Sequence, residues 1–337
     1  MEHYRIYHPE IPAFLSACAE TPSLQRLMHV GMNCGCEYTS FPRFRGLLPY
    51  SRFDHSIGAA LIVWHFTHDE KQAVAALLHD VATPVFAHVV DFLKGDYFRQ
   101  EATESGTEAI IASDAALQRQ LSLLGLATED VSDYHRYPVA DNDSPQLSAD
   151  RLEYTLGNLL NYRIRTQAQV QAFYDDLFVG TDGEGRPELV FRTEETAIDF
   201  AKAALVCSKI YVSDEDRYAM QILSELLGYA IRAGVLSEDD LYRDEPAVIA
   251  KLCADAKTAA AWRNFRSCRT VLCANEPQVG GVWRQIAAKK RYIDPLIANK
   301  GRVTAVFEPL REEIGAFLEK PQTEWIAAAE AQPLPEE

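Results

Sequence analysis

Two stretches decide the fold of this 337-residue chain: "SRFDHSIGAALIVWHF" at 51–66 and "AALLHDVATPVFAHVVDFL" at 75–93. In the first, a charged opening that includes His55 leads directly into an apolar run with helical spacing. In the second, His79 and Asp80 interrupt a run that is otherwise apolar. Because buried charge needs a partner or a metal ion, the two stretches together predict helices around a buried polar site.

Helical patterns dominate the rest of the chain. The spacing and capping signals predict helices over 23–32, 55–68, 69–81, 84–94, 101–112, 114–124, 147–161, 194–211, 214–234 and 245–265. The segment "LFVGTDGEGRPELVF" at 177–191 has apolar ends around a Gly-rich centre, which indicates a β-hairpin. Short strands are expected at 267–276 and 302–309.

These patterns predict a mainly α fold, a helical bundle with a small β-hairpin and a short mixed α/β C-terminal region. A soft boundary falls near residue 235, after the helical bulk. We therefore expect a helical core over 1–235, a C-terminal region of helices and short strands over 236–330, and a flexible tail over 331–337.

Composition limits the classes of partner. Hydrophobic residues make up 47% and charged residues 24%, which is ordinary for a soluble globular protein. The net charge of −16 disfavours a polynucleotide or an anionic membrane as partner. The seven cysteines indicate reduced thiols, and no signal peptide or membrane span is evident, so we expect a cytoplasmic protein. Cys34 and Cys36 lack a second pair at zinc-site spacing.

Candidate metal ligands come from three separated segments. Neutral imidazoles and ionised carboxylates bind divalent cations when they converge from different elements. His55 lies at a helix start, the adjacent pair His79 and Asp80 at a helix end, and Asp150 at the start of the helix in "LSADRLEYTLGN". Adjacent residues can reach one ion if the ion sits near the helix end. The sequence therefore suggests one divalent cation.

Two further histidine groups have different interpretations. His88 and Asp91 lie three residues apart and so share one helix face, where a carboxylate can orient an imidazole for acid–base chemistry. A core histidine bonded to an acid is the alternative. His65, His68 and Asp69 imitate a metal pair, but they sit at a polar helix end and are interpreted as solvated surface.

The stretches "SRFDHS", "LLHD", "PVFAH" and "DRLEY" resemble the four signature stretches of the HD-domain metal-dependent phosphohydrolases. They are nearest the branch that includes deoxynucleoside triphosphate triphosphohydrolases, and "RLMHVGM" resembles an element of that branch. The resemblance covers about residues 20–160. It implies an all-helical HD fold and a metal held by His55, His79, Asp80 and Asp150. Such a ligand set accepts Mn²⁺, Fe²⁺, Co²⁺, Ni²⁺ or Zn²⁺.

The resemblance also implies roles for neighbouring residues. His88 falls on the catalytic histidine of the branch and Asp91 on its supporting acid. Arg52 falls on an arginine that contacts phosphate. Arg151 and Tyr154 fall on positions that contact phosphate and sugar.

Two candidates rest on the residues alone. Glu101 and Glu104 open a predicted helix, where acids are common, or one of them, with Glu101 preferred, hydrogen-bonds a water on the metal as part of the catalytic group. Lys289 and Lys290 lie in the basic run "AAKKRYIDPL" of an acidic protein. They form either a solvated charge run or a grip on the substrate phosphate.

The chain departs from the branch at several positions. Thr83 stands where a second histidine is usual, Met32 replaces a nucleoside-reading Gln, and Asn158 replaces an acid near the sugar. Gln100 replaces a histidine, and an arginine-rich helix is represented only by Arg217. The resemblance therefore supports the metal site more strongly than it supports a triphosphate substrate.

The sequence predicts a metal-dependent phosphohydrolase that cleaves a phosphate ester or anhydride of a nucleotide, either a dNTP or NTP or a monophosphate. His88 would protonate the leaving oxygen. One alternative is a nucleotide-sensing HD module with weak catalysis. Another is an HD-type di-metal oxygenase, which is disfavoured because only His88 and His135 lie between Asp80 and Asp150. The expected partner is a small phosphorylated substrate, and a homo-oligomer is possible.

Overall fold

The computed structural model describes residues 5–95 and 106–335, and within these ranges the protein is mainly helical. Its α-helices are α1 Ala13–Ala19, α2 Pro22–Arg26, α3 Arg52–Thr67, α4 Glu70–Leu78, α5 Val89–Leu93, α6 Thr107–Ser113, α7 Ala115–Leu123, α8 Thr128–Val131, α9 Ala149–Asn161, α10 Gln167–Asp175, α11 Glu194–Ile210, α12 Asp214–Arg232, α13 Glu245–Ala254, α14 Ala256–Ser267, α15 Val303–Val306 and α16 Glu308–Glu319.

Two small sheets accompany the helices. The strands are β1 Leu177–Thr181, β2 Pro187–Phe191, β3 Val271–Ala274, β4 Arg284–Gln285, β5 Leu296–Ile297, β6 Gly301–Arg302 and β7 Trp325–Ala328. The first sheet has the order β1-β2-β5-β6, and the predicted hairpin forms its antiparallel β1–β2 pair. Strand β5 joins β2 in parallel, so the C-terminal region is hydrogen-bonded to the hairpin. The second sheet has the order β3-β7-β4.

Helices α3, α4 and α9 form the part of the core that carries the polar stretches. Helix α3 packs against both α4 and α9, and its residues 57–63 are buried. Apolar side chains from α11 and from residues after 290, such as Ile293 and Leu310, extend the same hydrophobic cluster. A second cluster joins α5, α12 and α14 to the β7 sheet. The polar residues of α3, α4 and α9 therefore sit between rigid, buried elements.

Several predicted elements differ from the structure, among them the helix expected over 23–32, whose α-helical part ends at Arg26. The helix expected over 84–94 begins only at Val89, because Phe86 and Ala87 adopt left-handed backbone angles with φ of 56° and 45°. The helix expected over 245–265 is two helices, because the side chain of Asp255 caps a new helix by accepting from the backbone N–H of Thr258.

The strand expected over 302–309 is wrong. Only Arg302 belongs to a strand, β6, and α15 and α16 follow it. The alternation of apolar residues in "RVTAVF" imitated a strand, but Pro309 lies in the first turn of α16, a position that favours a helix. The predicted helix over 101–112 is described only from residue 106 onward, where α6 begins at Thr107. Among the described residues, none of the helices combines the length and hydropathy required to cross a bilayer.

Candidate metal centre and its cavity

The N-terminus of α3 fixes the first histidine. The Ser51 hydroxyl accepts a hydrogen bond from the backbone N–H of Asp54, and the Asp54 carboxylate accepts one from the backbone N–H of Ser51. This reciprocal cap satisfies backbone donors and sets the start of the helix. His55 consequently lies in the first turn with its side chain buried.

The C-terminal end of α4 fixes the adjacent pair. The helix ends at Leu78, and His79 donates from Nδ1 to the carbonyl of Ala76 at 2.7 Å, which leaves its Nε2 for another contact. Asp80 follows in a tight turn, where it accepts from the hydroxyl of Thr83 at 2.7 Å and from Arg52 at 2.9 Å. The helix end therefore allows two adjacent side chains to approach one point.

The predicted metal ligands meet at that point. His55 Nε2 lies 3.1 Å from His79 Nε2, 3.0 Å from Asp150 Oδ1 and 3.9 Å from Asp80 Oδ2. His79 Nε2 lies 3.7 Å from both Asp80 Oδ2 and Asp150 Oδ1. Two donor atoms that share one ion, each about 2.1 Å from it, are at most about 4.2 Å apart. The donor atoms fit a single divalent cation, with Asp150 completing the buried group His55, His79 and Asp80.

Glu153 is a part of this centre that the sequence analysis did not identify. Its side chain is fully buried, and Oε2 accepts from His55 Nδ1 and from the hydroxyl of Tyr50, each at 2.5 Å. A Cβ on Gly58 would lie 2.5 Å from Glu153 Oε1, so the glycine leaves the space that this carboxylate fills. Glu153 fixes the imidazole with its proton on Nδ1, which leaves Nε2 for a cation.

Electrostatics of the centre favour a positive charge. Burial alone lowers the pKa of His55, but the hydrogen bonds to Asp150 and Glu153 outweigh it and raise the pKa to about 10. Burial raises the pKa of Asp80, yet Arg52 and the two histidines outweigh it and hold it well below its usual range. Burial also raises the pKa of Asp150, but the hydrogen bond and charge of His55 outweigh it and lower the pKa to about 2. Asp80 and Asp150 are therefore ionised, and without a metal ion a proton is held on His55.

Metal affinity should rise with pH. A protonated His55 cannot ligate a cation, so binding must release its proton while the pH lies below about 10. We expect the apparent Kd to fall about tenfold for each unit increase in pH around neutrality. Competition titrations with a chromophoric chelator measure this slope, and calorimetry in buffers of different ionisation enthalpy counts the protons released. A Kd that does not change with pH would contradict a protonated His55.

His88, the imidazole of the predicted acid–base pair, lines a cavity that also contains the metal ligands. His88 Nδ1 is 2.9 Å from Asp91 Oδ2, and Asp91 is fully buried. The left-handed backbone of Phe86 and Ala87 turns the chain immediately before His88, so local strain determines where this imidazole stands. Burial lowers the pKa of His88 more than the Asp91 hydrogen bond raises it, and the charges of Arg291 and Arg52 lower it further.

The cavity measures about 700 Å³, and a mixture of charged and aromatic side chains lines it. Arg52, Arg151, Tyr154, Lys289 and Lys290, all predicted to contact substrate, are among the lining residues. Arg151 is held by Asp141 Oδ1 at 3.1 Å and by the carbonyl of Gln146 at 2.7 Å.

The side chains of the basic run 289–291 have different contacts in the structure. The Lys290 ammonium donates hydrogen bonds to the carbonyls of Leu318 and Lys320. Arg291 also lines the cavity, where its charge adds to the burial that lowers the pKa of His88 and partly opposes the burial that raises the pKa of Tyr154 to about 12. The sequence analysis did not select Arg291, although it stands in the same basic run.

The other positions that were singled out from the sequence have different places in the structure. Arg217 is buried and bonds Asp214 and the carbonyls of Val212 and Ile286, so it ties α12 to the C-terminal region. Met32 and Asn158, which depart from the family pattern, both line the cavity. Cys34 and Cys36 are buried free thiols. His65 is an exposed residue on α3. Glu101 and Glu104 lie outside the described residues.

Known proteins resemble this chain in sequence and in fold, although no protein-family model matches it. It is 27% identical over 200 residues to the uncharacterized protein YdhJ of Bacillus subtilis (strain 168). This match covers 59% of this chain and 60% of YdhJ, so the chain spans less than two thirds of that relative. It is 23% identical over 272 residues to the metal-dependent phosphohydrolase cns2 of Cordyceps militaris, which covers 77% of this chain and 74% of that protein. The crystal structure of a phosphohydrolase from Bacteroides thetaiotaomicron VPI-5482 superposes with a TM-score of 0.62 at 15% identity, covering 96% of this chain and 97% of the other. The chain therefore shares the fold of that structure.

Proposed function

We propose that this protein is a metal-dependent phosphohydrolase of the HD type that cleaves a phosphate ester or anhydride of a nucleotide. The observation that carries the proposal is the meeting of His55, His79, Asp80 and Asp150 within single-ion distances on a cavity that also holds His88. The names of the relative from Cordyceps militaris and of the structural neighbour support the same class of reaction.

A divalent cation in this site supplies Lewis-acid stabilisation of phosphate oxygens and lowers the pKa of a water molecule. Arg52 lies against Asp80 and adds positive charge beside the ligands. Arg151 and Arg291 line the same cavity and can neutralise charge on the equatorial phosphate oxygens. The cavity of this acidic protein thus presents several cationic side chains beside its carboxylates, and an anionic substrate can contact them.

His88 moves the proton. With Nδ1–H directed at Asp91, the neutral imidazole presents Nε2 as an acceptor. A water attacks phosphorus, its proton goes to His88 Nε2, and the bond from phosphorus to the leaving oxygen breaks. The leaving oxygen departs on the opposite side of phosphorus and takes a proton from solvent, and His88 then releases its own proton to solvent. The sequence predicts His88 as the acid that protonates the leaving oxygen, but its lowered pKa favours a neutral imidazole that acts first as the base.

The arrangement disfavours the oxygenase alternative. His88 and His135, the two histidines between Asp80 and Asp150, hydrogen-bond Asp91 and Asp141 through Nδ1 and lie outside the cluster of ligand atoms. In the described ranges, the ligand cluster contains no histidine other than His55 and His79.

The direct test is metal analysis of the purified protein followed by a substrate panel. We expect about one transition-metal ion per chain for a single-ion ligand set of this kind. The loaded protein is offered nucleoside mono-, di- and triphosphates and phenyl phosphate, and released phosphate, pyrophosphate and triphosphate are quantified. Chelation should abolish turnover, and metal should restore it. Ligand-induced stabilisation without product, with every metal tried, would instead support a nucleotide sensor.

Replacing His88 with alanine should leave the metal content unchanged and reduce kcat by a factor of about 10²–10⁴, the usual range for a general acid–base residue. The Asp91→Asn variant should reduce kcat less, because it leaves the imidazole in place but weakens its orientation. Metal analysis and steady-state kinetics measure the two effects separately. An unchanged kcat in the His88→Ala variant would remove this residue from the mechanism.

A further inference from the structure

The cavity extends beyond the metal ligands into a region that we call the head-group arm, lined by Asn33, Asn158, Tyr162, Tyr211 and Asp216. Aromatic rings connect this arm to the metal centre. The ring of Tyr154 lies 6.4 Å from that of His55, and the ring of Tyr211 lies 6.2 Å from that of Tyr154. A substrate bound by its phosphate at the ligands can therefore extend along the rings into the arm.

Asp216 gives the arm a carboxyl group that forms no ion pair within the described residues. Its Oδ1 accepts a weak hydrogen bond from Cys36 Sγ at 3.6 Å. The nearest arginines pair elsewhere, Arg217 with Asp214 and Arg43 with Glu215. Burial raises the pKa of Asp216 to about 8. A carboxyl group in this state can both accept and donate hydrogen bonds to a ligand.

Asn158 is an independent sign that the arm binds a polar ligand. Its side chain is only 6% exposed, and its Nδ2 donates to the Tyr211 hydroxyl at 2.8 Å. Its Oδ1 finds no donor in the part of the chain that the structure describes. A buried acceptor without a partner is costly, and a ligand in the same cavity can supply the missing donor.

We propose that the head-group arm binds the organic part of the substrate, a planar ring that directs N–H groups at Asp216. This inference rests on the proposed phosphohydrolase function and adds to it a residue that selects among the bases of nucleotide substrates. The aromatic walls suit a planar group, and a cavity of about 700 Å³ is far larger than a phosphate group needs. In this proposal Asp216 selects the ring of the substrate and takes no part in breaking the bond to phosphorus.

Binding of nucleosides that lack phosphate tests the arm apart from catalysis. Calorimetry on the full chain compares adenosine with purine riboside and guanosine with inosine, pairs that differ only by an amino group. We expect the amino-bearing member of at least one pair to bind about tenfold more tightly, the effect of one good hydrogen bond. The Asp216→Ala variant should lose this preference, and Glu215→Ala, a neighbouring acid paired with Arg43, should keep it.

Each outcome decides the proposal. A nucleoside preference that survives in Asp216→Ala, or no binding of any of the four nucleosides, overturns it. If Asp216→Ala does not fold, Asp216→Leu fills the volume with an apolar group and carries the same expectation. Turnover of phenyl phosphate by the wild-type protein tests the proposed function separately, because that substrate has no N–H group. Binding without any turnover would overturn the function while leaving the arm intact.

Discussion

Replacing His79 with alanine should remove the metal and abolish turnover. The imidazole Nε2 lies 3.1 Å from His55 Nε2 and 3.7 Å from the two carboxylates, so its loss opens one side of the ligand set. We expect metal content to fall below a tenth of an ion per chain, and kcat by a factor of at least about 10³, since a metal contributes several kcal/mol to such reactions. Elemental analysis and kinetics measure both.

His65→Ala is the matched control for this experiment. His65 is an exposed histidine of α3, near a second histidine and an acid, and we interpret the group as solvated surface. The variant should retain both metal and turnover. The stabilisation that added metal gives to the wild-type protein should persist in His65→Ala and disappear in His79→Ala. Full metal occupancy in His79→Ala would show that the ion binds elsewhere.

The metal ligands could be predicted from the sequence because they are polar residues in largely apolar surroundings. His55, His79 and Asp80 are polar residues next to apolar helix positions, and a buried polar residue requires a partner. Their order along the chain, with Asp150 after them, matches short family motifs that do not depend on long-range packing. The structure brings these side chains to one point because the start of one helix faces the end of another.

Glu153 could have been found from helix geometry. It follows Asp150 by three residues, so both lie on one face of α9. Leu156, three residues further along the same face, is buried. An acid on a buried face next to a candidate ligand is a sign of a supporting carboxylate. The role of Gly58 in making room for it has no sequence signal, since that contact joins two helices that are distant along the chain.

Asp216 and Arg291 could not be predicted in the same way. Asp216 lies in the first turn of α12, where an acid is expected from the helix dipole alone. Arg291 lies in an irregular segment whose path over the cavity depends on the pairing of β5 with β2. Local patterns determine helices and caps, but the lining of a cavity depends on tertiary contacts that a single sequence does not encode visibly.

The second large effect concerns Glu153, which should control metal affinity without touching the metal. Glu153→Gln keeps an acceptor for His55 Nδ1–H but removes the negative charge, and Glu153→Ala removes both. We expect the metal Kd to increase about tenfold in the Gln variant and about 100-fold in the Ala variant, as for other carboxylates that orient a histidine ligand. Competition titration with a chelator measures each Kd.

Tyr50→Phe separates this positioning role from ordinary stability. It removes a hydrogen bond to the same Glu153 oxygen but leaves the contact between Glu153 and His55. We expect it to reduce the free energy of unfolding by about 1 kcal/mol and to leave the metal Kd within about threefold of the wild-type value. If Glu153→Gln lowered the melting temperature as Tyr50→Phe does and left the Kd unchanged, Glu153 would be structural only. A loss of metal affinity that is smallest in Tyr50→Phe, larger in Glu153→Gln and largest in Glu153→Ala would instead show that the Glu153 carboxylate acts on the metal through the orientation and charge of His55.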